Sequence, residues 1–319
     1  MLRFLIRRLG LLLAGLLLAS MVVFLALRVL PGDVAQVIGG IKATPEQLQA
    51  IRESLGLTAS PVSQYLDWLT GLLRLDLGDS LVTGSSVSAE LAQKLQVTLP
   101  LTLLALFVAL AIALPLGVVS ALRAEHGGGA INLAAQALAA VPALWGGLLL
   151  ILVFGRGVGL VGILPSQGFP RDGWAQPAAA VQALVLPALA LGLVEGATLL
   201  RFVRSATLEA LGQDYVRTAA AKGLTRTRAL LTHGLPNVGL SVISVAALTV
   251  AATLTGAVLV ESLFNLPGVG RMLVTDVGNR DLPKVQSEIL VLTAAVLVIG
   301  ALVDIAHRLL DPRLREAGE

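Results

Sequence analysis

Six stretches of this chain run for long distances with almost no charge, and that spacing constrains the fold more than any motif does. They are Leu9 to Leu27, then intervals within 95–122, 127–155, 173–200, 234–260 and 289–307, interrupted only by Glu195 in the fourth and Asp304 near the end of the sixth. A bilayer core demands about 20 apolar residues in a helix, because every backbone polar group must be satisfied within the segment. The pattern therefore predicts an all-α polytopic membrane protein with six transmembrane helices and both termini on one side. Composition agrees: 56% of the 319 residues are apolar, 13% are charged and mean hydropathy is +0.86, which excludes an ordinary soluble domain. With no cysteine, a disulfide framework and a thiolate metal site are excluded as well.

Basic residues close to the spans set the orientation. Arg3, Arg7, Arg8, Arg123, Arg201, Arg204, Arg217, Lys222, Arg226, Arg228, Arg308, Arg313 and Arg315 fall on one side, 13 of the 23 basic residues, and that side is read as cytosolic. The long loop 31–97 on the other side carries Asp33, Glu46, Glu53, Asp67, Asp76, Asp79 and Glu90 and is net negative. The pI near 9.7 thus reports positive-inside loops, and no nucleic-acid partner is expected. Arg7-Arg8 before an apolar run looks like a signal peptide, but no small-x-small cleavage site precedes Arg28, so the run is read as a retained span. Arg28 is expected to snorkel from its outer end, and Pro31-Gly32-Asp33 to break the helix.

Within the loop, Thr44-Pro45-Glu46-Gln47 reads as a helix cap with proline at the first helical position. A second amphipathic stretch, SQYLDWLTGLLRL, is expected to rest Tyr65, Trp68 and Leu72 on the membrane surface or on neighbouring spans. The loop's acids are read as charge on a solvated face. Gly127-Gly128-Gly129 is read as a flexible turn. None of Lys42, Lys94, Lys222 and Lys284 follows a glycine, so no Walker A sequence exists in the chain. If transport here consumes ATP, the ATPase is another chain.

The longest polar segment on the cytosolic side is 204–236. Inside it, Asp214 to Leu224 reads as a short helix with a polar start and a glycine stop at Gly223, which is expected to have positive φ. Ala219, Ala220 and Ala221 lack bulk, so a partner's groove can close around them, with Arg217 and Lys222 at the rim. Nine residues after Gly223 comes His233-Gly234-Leu235-Pro236. This layout resembles the loop by which the permease subunit of an ATP-binding-cassette importer docks onto its ATPase: Glu-Ala-Ala, three residues, Gly, nine residues, Ile-x-Leu-Pro. Gly223, Leu235 and Pro236 match in register, while Arg217-Thr218-Ala219 occupy the Glu-Ala-Ala places without the acid.

Other stretches resemble one branch of that class, the dipeptide/oligopeptide/nickel permease family. They are VFLALRVLPGD, LDLGDSLVTGSSVSAELAQKLQVTLPLTLLAL, VLVESLFNLPGVGRMLVTDVGNRDLPKVQ and LVDIAHRLLDPRLR. The long first loop is similar to that of one partner of the family's heterodimeric pair. On physical grounds Pro267, Gly268 and Gly270 are expected to stop the fifth helix, Asp304 and Arg308 to stand one turn apart, and Asp311-Pro312-Arg313 to end the sixth.

The resemblance implies a single transmembrane permease domain over 1–319, with the type I ABC importer fold, in a bacterial or archaeal inner membrane. It implies a homologous second permease subunit, two ATPase subunits, an external solute-binding protein and surrounding membrane lipid as partners, for import of peptides or similar solutes. It implies no catalytic residue and no metal or cofactor on this chain, ATP and Mg being held by the ATPase. The coupling residues would be Asp214, Tyr215, Arg217, Thr218, Ala219, Ala220, Ala221, Lys222, Gly223, Leu235 and Pro236. Glu195 and Glu261 are the candidates for the translocation path. Glu195 has no basic residue at i±3 or i±4, so it is expected either to face the path or to sit near the cytosolic edge beside Arg201. A stand-alone secondary transporter or channel is the alternative, and it predicts more ionisable residues within spans than Glu195 and Asp304. An intramembrane enzyme is weaker, since His126, His233 and His307 all fall at span edges with no nucleophile–base pairing.

Overall fold

The computed structural model of the chain describes residues 2–29, 34–40 and 42–310. The break at Pro31-Gly32-Asp33 and the terminal Asp311-Pro312-Arg313 and Arg315 lie outside the described residues. The described residues form α1 (Leu2–Val29), α2 (Val34–Gly39), α3 (Pro45–Ser54), α4 (Pro61–Leu73), α5 (Val87–Leu122), α6 (Gly128–Ala139) and α7 (Ala143–Phe154). They continue with α8 (Pro177–Gly212), α9 (Asp214–Ala221), α10 (Arg226–Ala229), α11 (Leu235–Leu263), α12 (Val269–Gly278) and α13 (Leu282–Leu310). Among the described residues there is no strand, only two isolated β-bridges, Asp79 with Ser86 and Gly155 with Leu164. Five helices are long and apolar enough to cross a membrane: α1, α5, α8, the continuous run Arg226–Leu263 and α13. The third expected span is instead a bent pair, α6 and α7, meeting at 98°. Pro142 stands at the break: it has no N–H to donate, and its own backbone is extended, with ψ 137°, where α7 begins.

The chain divides into two compact units, Met1–Thr98 with Pro267–Val298 and Leu99–Leu266 with Ile299–Glu319. In the first, α3 begins as read from its sequence. Thr44 Oγ1 accepts from the Gln47 amide at 3.3 Å and the Gln47 side chain accepts from the Thr44 amide at 2.9 Å, a reciprocal cap that satisfies two orphan donors. The amphipathic α4 packs on neighbouring helices. Tyr65 sets its ring edge against Phe24 at 5.1 Å and its hydroxyl 2.9 Å from Ser20 Oγ, and Trp68 Nε1 donates to Ser287 Oγ at 3.2 Å. Arg28 lies 4.6 Å from the centre of the Phe24 ring and donates to Gln64, so its charge is held by the protein at the end of α1.

In the second unit α8 is the central helix, and its contact with α5 is made by missing side chains. A Cβ on Gly192 would come within 2.7 Å of the Ala105 carbonyl, and one on Gly196 within 3.0 Å of the Ala109 backbone; opposite them, Gly117 admits Val203 in the same way. Gly192 and Gly196 form a small-xxx-small stripe, which lets two backbones close when lipid on the outside is as apolar as the helix itself. The turn at Gly127–Gly129 is tighter than its composition suggests. A Cβ on Gly128 would lie 2.2 Å from the Ser120 carbonyl, and Ser120 Oγ donates back to Gly128 O at 2.7 Å, so Gly128 serves close packing.

Five helix ends use one device, and sequence revealed it only partly. After α3, α4, α9, α11 and α12 a residue turns left-handed, and the next amide reaches back to the carbonyl five residues earlier. Glycine occupies the turn at Gly56 (φ +68°) and Gly223 (φ +99°), but Leu75 (+60°), Asn265 (+53°) and Arg280 (+54°) occupy the others. The fifth span therefore stops at Asn265, with the Leu266 amide on the Glu261 carbonyl at 2.8 Å, before Pro267, Gly268 and Gly270 are reached. Those residues instead lead into α12.

Candidate coupling loop and translocation-path residues

The helix α9 is two-faced. Val216 and Ala219 turn inward and pack with Ala229, while Ala220 and Leu224 cover the edge of that small cluster. Asp214, Arg217, Thr218 and Ala221, at positions i, i+3, i+4 and i+7, share the exposed face, and Lys222 follows them. Ala219 is only 8% exposed, so the small-residue surface open to a partner narrows to Ala221 with part of Ala220. Arg217 stands 4.0 Å from Asp214 in an exposed i,i+3 pair, a weak contact in water. Tyr215 is 38% exposed and borders a cleft of about 310 Å³ with Glu209, Gln213 and Asn237. On the other flank a cleft of about 440 Å³ is walled by Leu208, Gly212, Arg217, Ala220 and Arg226.

The segment returning to the next long helix is held from inside. Thr225 Oγ1 caps α10 by accepting from the Arg228 amide at 3.3 Å, and residues Leu230–Gly234 widen into a π-turn. Leu230 is fully buried, and a Cβ on Gly234 would meet its side chain at 2.6 Å. Leu235 packs, partly buried, on the same core as Leu230 and Val238. Pro236 is exposed in the first turn of α11, where a missing N–H costs nothing.

The two path candidates have different surroundings. Glu195 lies at the middle of the 36-residue α8, half-buried, and among the described residues no side chain pairs with it. α8 continues unbroken past Arg201 to Gly212, so Glu195 lies within the helix and not at its end. Glu261, in contrast, has no exposure at all and sits in the last turn of α11, whose end is closed by the Asn265 turn.

A buried polar network in the first unit went unread. Lys284, near the start of α13, has its side chain 5% exposed and its Nζ 2.6 Å from Glu90 Oε2 on α5 and 3.0 Å from Asp276 Oδ2 on α12. Beside Asp276 lies Glu288, fully buried, with no hydrogen-bond donor in reach of either carboxylate oxygen among the described residues. Asp281 accepts from Ser80 Oγ at 2.6 Å and from the Leu81 amide at 3.3 Å. Glu90 is therefore an ion-pair partner and not one of the solvated surface charges expected of the loop. Its partners lie about two hundred residues away in the sequence, so no local pattern pointed to them.

Long apolar helices joined by a short, two-faced helix on a polar loop define a polytopic membrane protein rather than a soluble module. Comparison with known proteins gives the family. The model described as binding-protein-dependent transport system inner membrane component matches residues 113–316, and its N-terminal counterpart matches residues 1–102. The chain belongs to this family, as an inner-membrane, multi-pass permease subunit of a binding-protein-dependent importer, and the stand-alone transporter reading is not favoured. It is 36% identical to the di/tripeptide transport system permease protein DppB of Pseudomonas aeruginosa (strain UCBPP-PA14) over 336 residues, 99% of each chain. It is 36% identical over 304 residues, 94% of each chain, to a putative peptide transport system permease protein of Brucella abortus (strain 2308). The dipeptide transport system permease protein DppB of Escherichia coli (strain K12) is 33% identical over 339 residues, again 99% of each chain.

Proposed function

We propose that this chain forms half of a translocation path for peptides or chemically similar small solutes and takes its driving force from a separate ATPase through α9. The observation that carries this reading is the two-faced helix itself. Its inner face is packed on the chain's own residues, which makes it a supported knob, and its outer face of Asp214, Arg217, Thr218, Ala221 and Lys222 is polar, small and, among the described residues, unpartnered apart from the local Asp214–Arg217 contact. Peptide is chosen because the relatives that match end to end are named for peptide transport. The partners on this reading are a homologous second permease, two ATPase subunits that hold ATP and Mg, and an external solute-binding protein, with both termini cytoplasmic. Leu235 and Pro236 anchor the return of the loop. Gly223 fixes the angle of the knob.

Glu195 is the path residue of this proposal. A carboxylate inside a span is costly unless it meets water or a partner, and its half-buried place at mid-helix without a side-chain partner suits a wall that meets the α-ammonium of a passing peptide. Glu261, closed inside the end of α11, is assigned a structural role. The test is reconstitution of the chain with its co-encoded permease, ATPases and binding protein, measuring dipeptide-stimulated ATP hydrolysis and uptake. Ala221→Trp and Gly223→Val should leave the spans inserted and abolish the stimulation, and Glu195→Gln should lower uptake of dipeptides with a free amino group relative to N-acetylated ones. Normal stimulation in both loop variants would reduce the segment to a connector, and an unchanged substrate range in Glu195→Gln would remove that residue from the path.

A further inference from the structure

Beside the buried network, α1, α4, α5 and α13 enclose a cleft of about 680 Å³ whose wall is leucine almost throughout, including Leu13, Leu17, Leu72 and Leu95, with Ala92 and Ala294 leaving room. Its only polar groups are Ser20, already engaged with Tyr65, and Ser88. The cleft is open on one side, and a leucine wall of this extent calls for an apolar occupant. Water is not the filler, because apolar cavities of this kind stay dry. A peptide would find no partner for its backbone. The cleft is continuous with the face that α1 turns to the bilayer, since Leu13 and Leu17 line it and are themselves more than half exposed.

The rim is polar on one side and strained on another. On α13 the lining residues Leu290, Val291 and Ala294 follow directly after Ser287 and Glu288, so the cleft opens where polar protein gives way to apolar protein. At the end of α4, Leu73 is 80% and Leu75 is 87% exposed, both lining the cleft, with exposed Arg74 between them. Leu75 holds the left-handed turn that glycine usually takes, at φ +60°. A leucine kept in that conformation and turned out of the protein is explained if its surroundings are hydrocarbon. An arginine between two such leucines is the arrangement of an interfacial anchor, apolar below and facing a phosphate above.

We propose that this cleft is a phospholipid site, taking one acyl chain between α1, α4, α5 and α13 with the lipid phosphate held at Arg74. The full importer, reconstituted in vesicles containing phosphatidylglycerol with a diazirine in one acyl chain, is photolysed and its labelled peptides are mapped. Label is expected on residues 13–20 and 290–294, reduced at least fivefold by Ala294→Trp, or by Ala92→Phe should the first variant fail to fold, with labelling near Phe107 on exposed α5 unchanged. Arg74→Gln should reduce the label from phosphatidylglycerol at least twofold and leave that from a diazirine diacylglycerol, which has no phosphate, as it was. Labelling no stronger than at Phe107 and indifferent to the filling variants means annular lipid only and overturns the proposal. Label that appears on the isolated chain but is absent in the full importer means that a partner helix fills the cleft, which also overturns it. Equal loss of both probes in Arg74→Gln would overturn the phosphate contact.

Discussion

The loop around α9 and the network around Lys284 are both rich in charge, and they are built in opposite ways. Around α9 the charges come from one continuous stretch, are exposed and touch little, the one ion pair among the described residues there being Asp214 and Arg217 at 4.0 Å. Around Lys284 they come from α5, α12 and α13, are buried or, at Glu90, partly buried, and stand as close as 2.6 Å. The first arrangement leaves its charges available to a partner. The second uses them up inside the chain. Removing a charge should therefore be cheap for the fold and expensive for function in the first region, and the reverse in the second.

Lys284→Met should break the comparison most forcefully, because it leaves Glu90 and Asp276 without their cation. Losing one partner of a buried pair costs about 3–5 kcal/mol, so this variant should lose much of its thermal stability in detergent; an unfolding midpoint equal to the parent's would show that the network is solvated. Gly196→Leu should follow, since its side chain has to displace the Ala109 backbone. Overpacking of this kind costs about 1–3 kcal/mol, and thermal unfolding of the purified chain against a Gly239→Leu control, where a Cβ meets nothing within 4 Å, isolates the contact.

At Gly223 the two regions separate cleanly. Forcing a β-branched residue to φ +99° costs roughly 1–2 kcal/mol of local strain, so Gly223→Val should shift the unfolding midpoint little while removing substrate-stimulated ATP hydrolysis. A matched loss of stability and stimulation would mean that the α9 region is as structural as the network. Arg217→Glu should change the fold hardly at all, an exposed pair contributing about 0.2–1 kcal/mol at most, and should weaken ATPase co-purification in a manner that salt attenuates. The smallest effect belongs to Glu46, in the first turn of α3. Its carboxyl is held below the ordinary 4.5 by the backbone amide at the helix start and then by the Thr44 hydroxyl. A depressed folded value means the contribution is present above 4.5 and disappears as pH falls through the folded value. The protection of the α3 backbone amides, taken relative to the intrinsic exchange rate at each pH, should fall below about pH 4.5, and Glu46→Gln should flatten that response.

What could be read in advance was whatever is written locally. Charge-free intervals gave the long helices because lipid leaves a backbone no alternative; the cap at Thr44 and the stop at Gly223 lie within a few residues of the groups they satisfy. The helix α9 was legible for the same reason, its residues being contiguous and its outer face a simple helical period. Only the tertiary structure decided which alanine of 219–221 faces out, because that depends on Ala229 and Leu224 closing against the inner side. It alone decided that the third span bends, that Gly192 and Gly196 admit α5, and that Asn265 rather than Pro267 ends α11. Glu90 shows the limit most plainly. In the sequence it is one acid among several in a polar loop, and its ion pair with Lys284 exists only because folding brings positions 90, 276 and 284 together, a juxtaposition that no short window of residues can encode.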